Sequence, residues 1–205
     1  MTKNTGIKFE NEVYETVKKL VESNDFLISN PNVKIYKKKP YYSKDRDSNI
    51  ICDVTVEKYM GNPDEEKELV PAIIVVIECK DYSASNPIPV DDVEEFHAKL
   101  QQIGADNTKG IMITRNASFQ QGALNYAKSK RIALARILPD NQVEYLMHMM
   151  VNPFSNLLDL KRVQDIVGAL TEKEFISYKG ENFFSLTGDR TFESMITNLL
   201  NTSDI

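Results

Sequence analysis

The chain contains only two cysteines, Cys52 and Cys79, and only two histidines. The cysteines form no CxxC pair and no cluster with histidine, so the sequence argues against a structural zinc site and against a zinc hydrolase. So few cysteines also favour a reducing compartment, and we expect a cytoplasmic location.

Long hydrophobic runs are missing as well. No apolar run is long enough to span a bilayer, and we expect no signal peptide because the first residues lead directly into an amphipathic pattern. The GxSxG, GxxxxGKS/T and GxGxxG motifs are also absent, which gives no support to a lipase, a kinase or a dehydrogenase. We expect no membrane partner.

An excess of positive charge is a third absence, because 25 basic residues face 30 acidic ones. Binding to nucleic acid would therefore need a local basic patch. Residues 34–46 offer one, with tyrosines between the basic side chains of Lys37, Lys38, Lys39, Lys44 and Arg46. Lysine and proline also protect sheet edges, so this segment is either a solvated edge strand or a surface that contacts phosphates.

What the sequence does contain is one strong apolar run, residues 70–77, which is rich in Ile and Val and is followed by Glu78, Cys79 and Lys80. It predicts a central strand covered by helices on both faces. Because side chains two residues apart in a strand point the same way, Glu78 and Lys80 project side by side. Charges so close to a core need a partner, a metal ion or a substrate.

A second strand is predicted for residues 48–57, with Asp53, Thr55 and Glu57 on one face and Cys52, Val54 and Val56 on the other. A polar loop with Gly, Asn and Pro follows and returns the chain as an antiparallel neighbour. This hairpin can bring Asp53 alongside Glu78.

The first helix is predicted for residues 6–21, with a buried stripe that includes Phe9 and Val13. Glu10 flanks this stripe. It is either a solvated residue of the first helical turns or a carboxylate that points into a cleft beside the core.

After the central strand, helical and strand patterns alternate. We expect a helix from Asp91 to Gly104, a strand at 109–114, a helix capped at 116–118 and a strand at 132–137, with parallel pairing between the strands. Residues 139–205 are predicted to form a small α+β extension, used for dimerisation or substrate positioning. It would contain a strand at 143–149, a hairpin at 175–186 and helices at 157–170 and 191–200. Residues 1–138 would form the core domain.

Asp53, Glu78 and Lys80, with Glu10 as a fourth candidate, could meet at one sheet edge. Two carboxylates on adjacent strands suit a hard divalent cation such as Mg²⁺. Lys80 could orient or deprotonate a water molecule, or stabilise charge on phosphorus. Cys79 could contribute to a metal site only through its backbone carbonyl.

These residues resemble a known motif. Asp53, followed after a hairpin by Glu78-Cys79-Lys80, resembles the PD-(D/E)XK motif of restriction-endonuclease-like nucleases. Together with residues 6–10, 109–114 and 119–134, it is similar to the Mrr-like restriction endonuclease catalytic domain over residues 6–138. Archaeal Holliday-junction resolvases share this layout. Cys52 stands where the motif's name records proline.

The resemblance implies an α/β restriction-endonuclease-like core, with a central mixed sheet flanked by helices and the small C-terminal extension. It implies Mg²⁺-dependent hydrolysis of DNA phosphodiesters, with Mn²⁺ as a substitute. Asp53 and Glu78 would be the metal ligands, Lys80 the catalytic lysine and Glu10 a further acid of the site.

Three functional hypotheses remain open. The first is a DNA endonuclease of restriction or phage-defence type, active as a homodimer because cutting both strands needs two active sites. The second is a binding or assembly module without activity, since a fold does not guarantee a function. The third is a resolvase of branched DNA.

Overall fold

The computed structural model of the chain describes residues 5–22, 32–65, 68–137, 146–149, 167–168, 170–172 and 192–201. The elements are, in chain order, helix α1 (Thr5–Glu22), strands β1 (Val33–Ser43), β2 (Ser48–Lys58) and β3 (Ile73–Lys80), helix α2 (Val90–Gly104), strand β4 (Thr108–Thr114), helix α3 (Gln121–Ser129), strands β5 (Ala133–Ile137) and β6 (Leu146–Met149), and helix α4 (Phe192–Asn201).

The six strands form one mixed sheet in the order β1-β2-β3-β4-β5-β6. β1, β2 and β3 are joined by antiparallel pairing, β3, β4 and β5 are parallel, and β6 returns antiparallel to β5. Parallel strands need a long crossover connection, and helix α2 provides it between β3 and β4. The sequence prediction of a central β3 with an antiparallel β2 beside it is confirmed.

Both faces of the sheet are covered, and each carries its own core layer. The first layer packs α2 and α3 against side chains such as Ile74 and Val76 of β3. The second layer packs α1 and α4 against Val75 and Ile77. Alternate residues of β3 therefore enter opposite layers, which explains why this strand is apolar on both faces.

The predicted alternation of β2 is wrong at one point. Cys52 packs in the first core layer, whereas Val54 packs in the second. The β1–β2 ladder pairs Lys37 with Val54 and Lys39 with Cys52, and it omits the intervening pair of Lys38 and Asp53. Lys38 has φ 52°, in the left-handed region that is uncommon for residues other than glycine. A local distortion of β1 and β2 at this missing pair thus reverses the alternation of β2, so that Cys52 and Val54 point to opposite faces of the sheet.

A second difference concerns the start of α3. The predicted cap at residues 116–118 is wrong, because the helix begins at Gln121. Phe119 instead forms a parallel bridge with Ile88, whose N–H donates to the carbonyl of Ser118 at 2.8 Å. Backbone pairing with a distant loop replaces the local helix signal.

Described parts of the predicted extension join the core. Strand β6 completes the sheet, and Met195, Ile196, Leu199 and Leu200 of α4 are buried in the second core layer. The division into residues 1–138 and 139–205 stays a prediction. The apolar triplet at 26–28, which predicts a short strand, the predicted hairpin at 175–186 and most of the predicted helix at 157–170 lie outside the described residues. Among the helices that are described, none is long and apolar enough to cross a membrane.

Candidate active site

The C-terminal end of β3 places two charged side chains at the margin of the first core layer. Glu78 is buried, and its Oε1 atom lies 3.6 Å from Nζ of Lys80. The run of β-branched residues before them holds the strand in the sheet, so the i, i+2 spacing fixes both side chains on one face. This juxtaposition is what the sequence predicts.

Helix α2 adds two residues that the sequence interpretation missed. Lys99 donates to Oε1 of Glu78 at 3.0 Å, and Lys80 donates to Oδ1 of Asp92 at 3.0 Å. Asp92 and Lys99 lie seven residues apart, two turns of one helix face, and each directly precedes a buried residue, Val93 or Leu100. Charged positions that border a buried helical stripe were the signal that could have identified them.

The charges around these lysines change their acidity. Burial alone would lower the pKa of Lys80, but the hydrogen bond to Asp92 and the charge of Glu78 outweigh it and raise the pKa. For Lys99, burial is likewise outweighed by the charge of Glu78 and the hydrogen bond to it, and the pKa is raised. Both side chains are therefore ammonium groups near neutral pH.

Asp53 lies at the distorted rung of β2, and its carboxylate contacts two neighbours. Oδ2 accepts a hydrogen bond from the backbone N–H of Cys79 at 2.9 Å. Oδ1 lies 2.6 Å from Nζ of Lys38. The hairpin thus brings Asp53 to the Glu78-Cys79-Lys80 segment, as the sequence indicates, through the main chain of β3.

Glu10 of α1 joins Asp53 through the same lysine. Its Oε2 atom lies 2.7 Å from Nζ of Lys38. The buried ring of Phe9, the preceding residue, belongs to the second core layer and holds this part of the helix against the sheet. Burial would lower the pKa of Lys38, but hydrogen bonds to Asp53 and Glu10 outweigh it and raise the pKa.

The predicted site residues therefore form two neighbouring groups. Glu10 and Asp53 meet at Lys38, whereas Glu78 and Lys80 meet with residues of α2. Cys79 links the groups, because its N–H binds Asp53 while its chain neighbours are Glu78 and Lys80. Within the described part of the chain, no three His, Cys, Asp or Glu side chains gather closely enough to hold a metal ion.

The donor chemistry nevertheless fits a hard divalent cation. Asp53 and Glu78 offer carboxylate oxygens, and Cys79 between the two groups offers a backbone carbonyl, which are the ligand types that Mg²⁺ and Mn²⁺ take. Each carboxylate already stabilises a positive charge, since an ammonium group lies within 3.0 Å of it.

The thiols are unsuited to act as ligands in this arrangement. Burial, followed by the charge of Glu78, raises the pKa of Cys52 to about 12. Burial, followed by the charge of Asp53, also raises the pKa of Cys79 well above its ordinary value. Both thiols are therefore protonated near neutral pH, and a thiol is a far weaker metal ligand than a thiolate.

Within the basic segment, the five predicted phosphate-contacting residues have different environments. Lys37 donates to the side chain of Asn11, and Lys39 donates to both carboxylate oxygens of Glu57 at 2.7 Å. Lys38 contacts the carboxylates of Asp53 and Glu10. The side chains of Lys44 and Arg46 lie exposed in the turn between β1 and β2. Strand β1 lies at one edge of the described sheet, as the first of the two alternatives for this segment expects, while contact with phosphates stays a prediction.

The Mrr_cat family, described as restriction endonuclease, matches residues 32–137, just over half of the chain. The chain belongs to this restriction endonuclease family. The match runs from the start of β1 to the end of β5 and includes Asp53, Glu78 and Lys80. Glu10 precedes the matched residues.

Solved structures of similar proteins include three that cover much of the chain. The protein AF1548, of unknown function, is 14% identical with a TM-score of 0.41, and the match covers 78% of each chain. A repair endonuclease from Pyrococcus abyssi is 17% identical with a TM-score of 0.39, over 68% of this chain and 50% of that one. The MspJI restriction endonuclease, solved with a 27-mer oligonucleotide, is 14% identical with a TM-score of 0.39, over 66% of this chain and 26% of that one.

The chain thus spans half the length of the repair endonuclease and about a quarter of MspJI. No curated protein matches it. The mixed sheet with helices on both faces and the family match together make this a restriction-endonuclease-like fold of the PD-(D/E)XK type, carrying a nuclease domain.

Proposed function

We propose that this member of the restriction endonuclease family is a metal-dependent endonuclease that hydrolyses DNA phosphodiester bonds, in restriction or phage defence. One observation carries the proposal. Asp53 reaches the Glu78-Cys79-Lys80 end of β3 through a hydrogen bond to the N–H of Cys79, so the acids and the lysine of the motif adjoin one strand end.

Asp53, Glu78 and the backbone carbonyl of Cys79 would hold the ion, with Mg²⁺ as the expected cofactor and Mn²⁺ as its substitute. When bound, such an ion lowers the pKa of a water molecule and neutralises charge that develops on the phosphate. Glu10 of α1 contacts the same ammonium of Lys38 as Asp53 and would be a further acid of the site.

The protein's own contribution centres on Lys80. Its ammonium lies between the carboxylates of Glu78 and Asp92, which hold the side chain at the strand end. From there it would donate a hydrogen bond to a phosphate oxygen and stabilise charge in the transition state. In the reaction, a water oxygen bonds to phosphorus, the bond to the 3′ oxygen breaks and that oxygen takes a proton, leaving a 5′-phosphate.

The exposed Lys44 and Arg46 would contact the DNA backbone. Cutting both strands of a duplex would require two such sites, so we propose a homodimer. Sedimentation analysis of the full chain at several concentrations tests this part, and a single monomeric species would contradict it.

The enzyme proposal is tested by incubating plasmid and phage DNA with the protein and Mg²⁺ or Mn²⁺, then with Lys80→Ala and Asp53→Ala variants. The wild type should nick or cut the DNA, and both variants should be inactive. A wild type without activity, or variants as active as the wild type, would contradict the proposal. A four-way junction compared with linear duplex of equal sequence distinguishes a branched-DNA resolvase.

A second candidate, a binding module without catalysis, is favoured by one observation. Both proposed carboxylate ligands are already neutralised by lysines, Asp53 by Lys38 and Glu78 by Lys99. Titration calorimetry with Mn²⁺ separates the candidates. A nuclease should bind the ion and lose this binding in Glu78→Gln, whereas a module without catalysis should bind none.

A further inference from the structure

The Lys38 ammonium bridges two carboxylates. Its Nζ atom donates a hydrogen bond to Oδ1 of Asp53 at 2.6 Å and forms an ion pair with Oε2 of Glu10 at 2.7 Å. One positive group thus joins a side chain of β2 to a side chain of α1.

The backbone of β1 is distorted where this contact forms. Lys38 adopts φ 52°, and its rung is missing from the β1–β2 ladder. A lysine in the left-handed region is held there at an energetic cost, which persists only when the surroundings favour it. The ion pairs with Asp53 and Glu10 are favourable interactions at the same position.

The three side chains differ in access to water. The side chains of Asp53 and Glu10 are each 15% exposed, whereas that of Lys38 is 44% exposed. The other neighbour of Asp53, the N–H of Cys79, belongs to the main chain of β3 and stays in place. Of these two groups that contact the Asp53 carboxylate, the lysine side chain is therefore the one that can withdraw into solvent.

We propose that Lys38 is a gate for metal loading: its ammonium occupies the place beside Asp53 that a divalent cation needs, and it must withdraw before the ion binds. This inference rests on the proposed function only in assigning Asp53 as a metal ligand. An ammonium within hydrogen-bond distance of Asp53 and a divalent ion on the same carboxylate would lie only a few ångströms apart, and the repulsion between their like charges favours withdrawal of the ammonium when the ion binds.

The gate predicts a specific effect on affinity. If the site can bind the ion only while Lys38 is withdrawn, its apparent affinity for the ion falls in proportion to the time that Lys38 spends withdrawn. A site that is free for about a tenth of the time binds the ion about tenfold more weakly. Removing the ammonium should therefore tighten metal binding, although the substitution deletes no proposed ligand.

The test is titration calorimetry of the full chain with Mn²⁺, without DNA. Lys38→Met should tighten the apparent Kd by about tenfold, and Lys38→Arg, which keeps the charge, should resemble the wild type. The matched control is Lys34→Met on the same strand. Lys34 pairs with Asp64, so the control removes the same charge away from the proposed ligands.

The outcomes separate the gate from the proposed function. Binding in Lys38→Met that is tighter than in the wild type and is abolished by adding Asp53→Asn supports the gate. The gate alone is overturned if the wild type binds the ion and Lys38→Met binds it no more tightly. It is also overturned if Lys34→Met tightens binding as much as Lys38→Met does. No binding in any variant overturns the metal site and the gate together. If Lys38→Met does not fold, as judged by circular dichroism, Lys38→Gln takes its place.

Discussion

The ammonium of Lys80 lies 3.0 Å from Oδ1 of Asp92, so the lysine of β3 is held by a residue of the following helix as well as by Glu78 on its own strand. Lysine has a flexible four-carbon stem, and its head is positioned only where partners restrain it. Asp92 therefore acts on the proposed chemistry through Lys80.

Replacing Asp92 tests this relationship. Asp92→Asn removes the charge that restrains Lys80, and we expect the cleavage rate to fall by about ten- to a hundredfold, in line with the cost of small misplacements of catalytic groups. Because Asp92 is not a proposed ligand, calorimetric affinity for Mn²⁺ should change little.

The control is Glu95→Gln on the same helix, which removes an acid that is 60% exposed and pairs with Lys99 instead. It should retain most of the activity. Equal cleavage rates in Asp92→Asn and the wild type would show that Lys80 does not depend on this contact.

Glu57 should contribute strongly to stability. Its fully buried carboxylate accepts hydrogen bonds from Lys39, Tyr41 and Tyr59. Glu57→Ala leaves an ammonium and two hydroxyls without their acceptor, and breaking a buried pair in this way costs about 3–5 kcal/mol. Urea denaturation followed by circular dichroism measures the loss.

The exposed ion pair of Lys34 and Asp64 provides the comparison for Glu57. Lys34→Met should cost less than about 1 kcal/mol, since solvent weakens such pairs. Similar losses in the two variants would mean that burial of the Glu57 network does not determine its contribution.

Binding to DNA should depend on the turn between β1 and β2. If Lys44 and Arg46 each contact a phosphate, the double variant Lys44→Ala/Arg46→Ala should reduce the slope of log K against log salt by about 2, near 0.9 per contact. Fluorescence anisotropy with a labelled duplex, in Ca²⁺ to limit cleavage, measures the slope. An unchanged slope would exclude both residues from the interface.

Gly110 should be required for packing of α2. A Cβ atom at this position of β4 would collide with Leu100 and with the ring of Phe96, both on α2. Gly110→Ala should therefore destabilise the protein by about 1–3 kcal/mol, as overpacked cores do. Gly6→Ala is the control, because a Cβ there meets nothing within 4 Å. Equal midpoints of thermal unfolding in the two variants would contradict this expectation.

Much of the fold follows from local patterns. The β-branched run predicts β3, and the spacing of Val93, Phe96 and Leu100 predicts the buried face of α2, because the periods of strand and helix are fixed by backbone geometry. The start of α3 was not predictable in this way, since the bridge of Phe119 to Ile88 joins residues 31 positions apart.

In the candidate site too, some relationships follow from local patterns and others from contacts between distant segments. The sequence by itself determined that Glu78 and Lys80 share one face, because they are two residues apart in a strand. It also determined that a hairpin returns the chain from Asp53 to this strand. These relationships are local, and the covalent chain imposes them.

Only the tertiary structure decided which groups surround the acids. At a distorted rung, it placed Lys38 against Asp53 and Glu10. It also paired Lys39 with the buried carboxylate of Glu57 and brought Asp92 of α2 to Lys80. Each contact joins residues at least a dozen positions apart, and its energy depends on burial and on neighbours from other elements. No local period encodes that information.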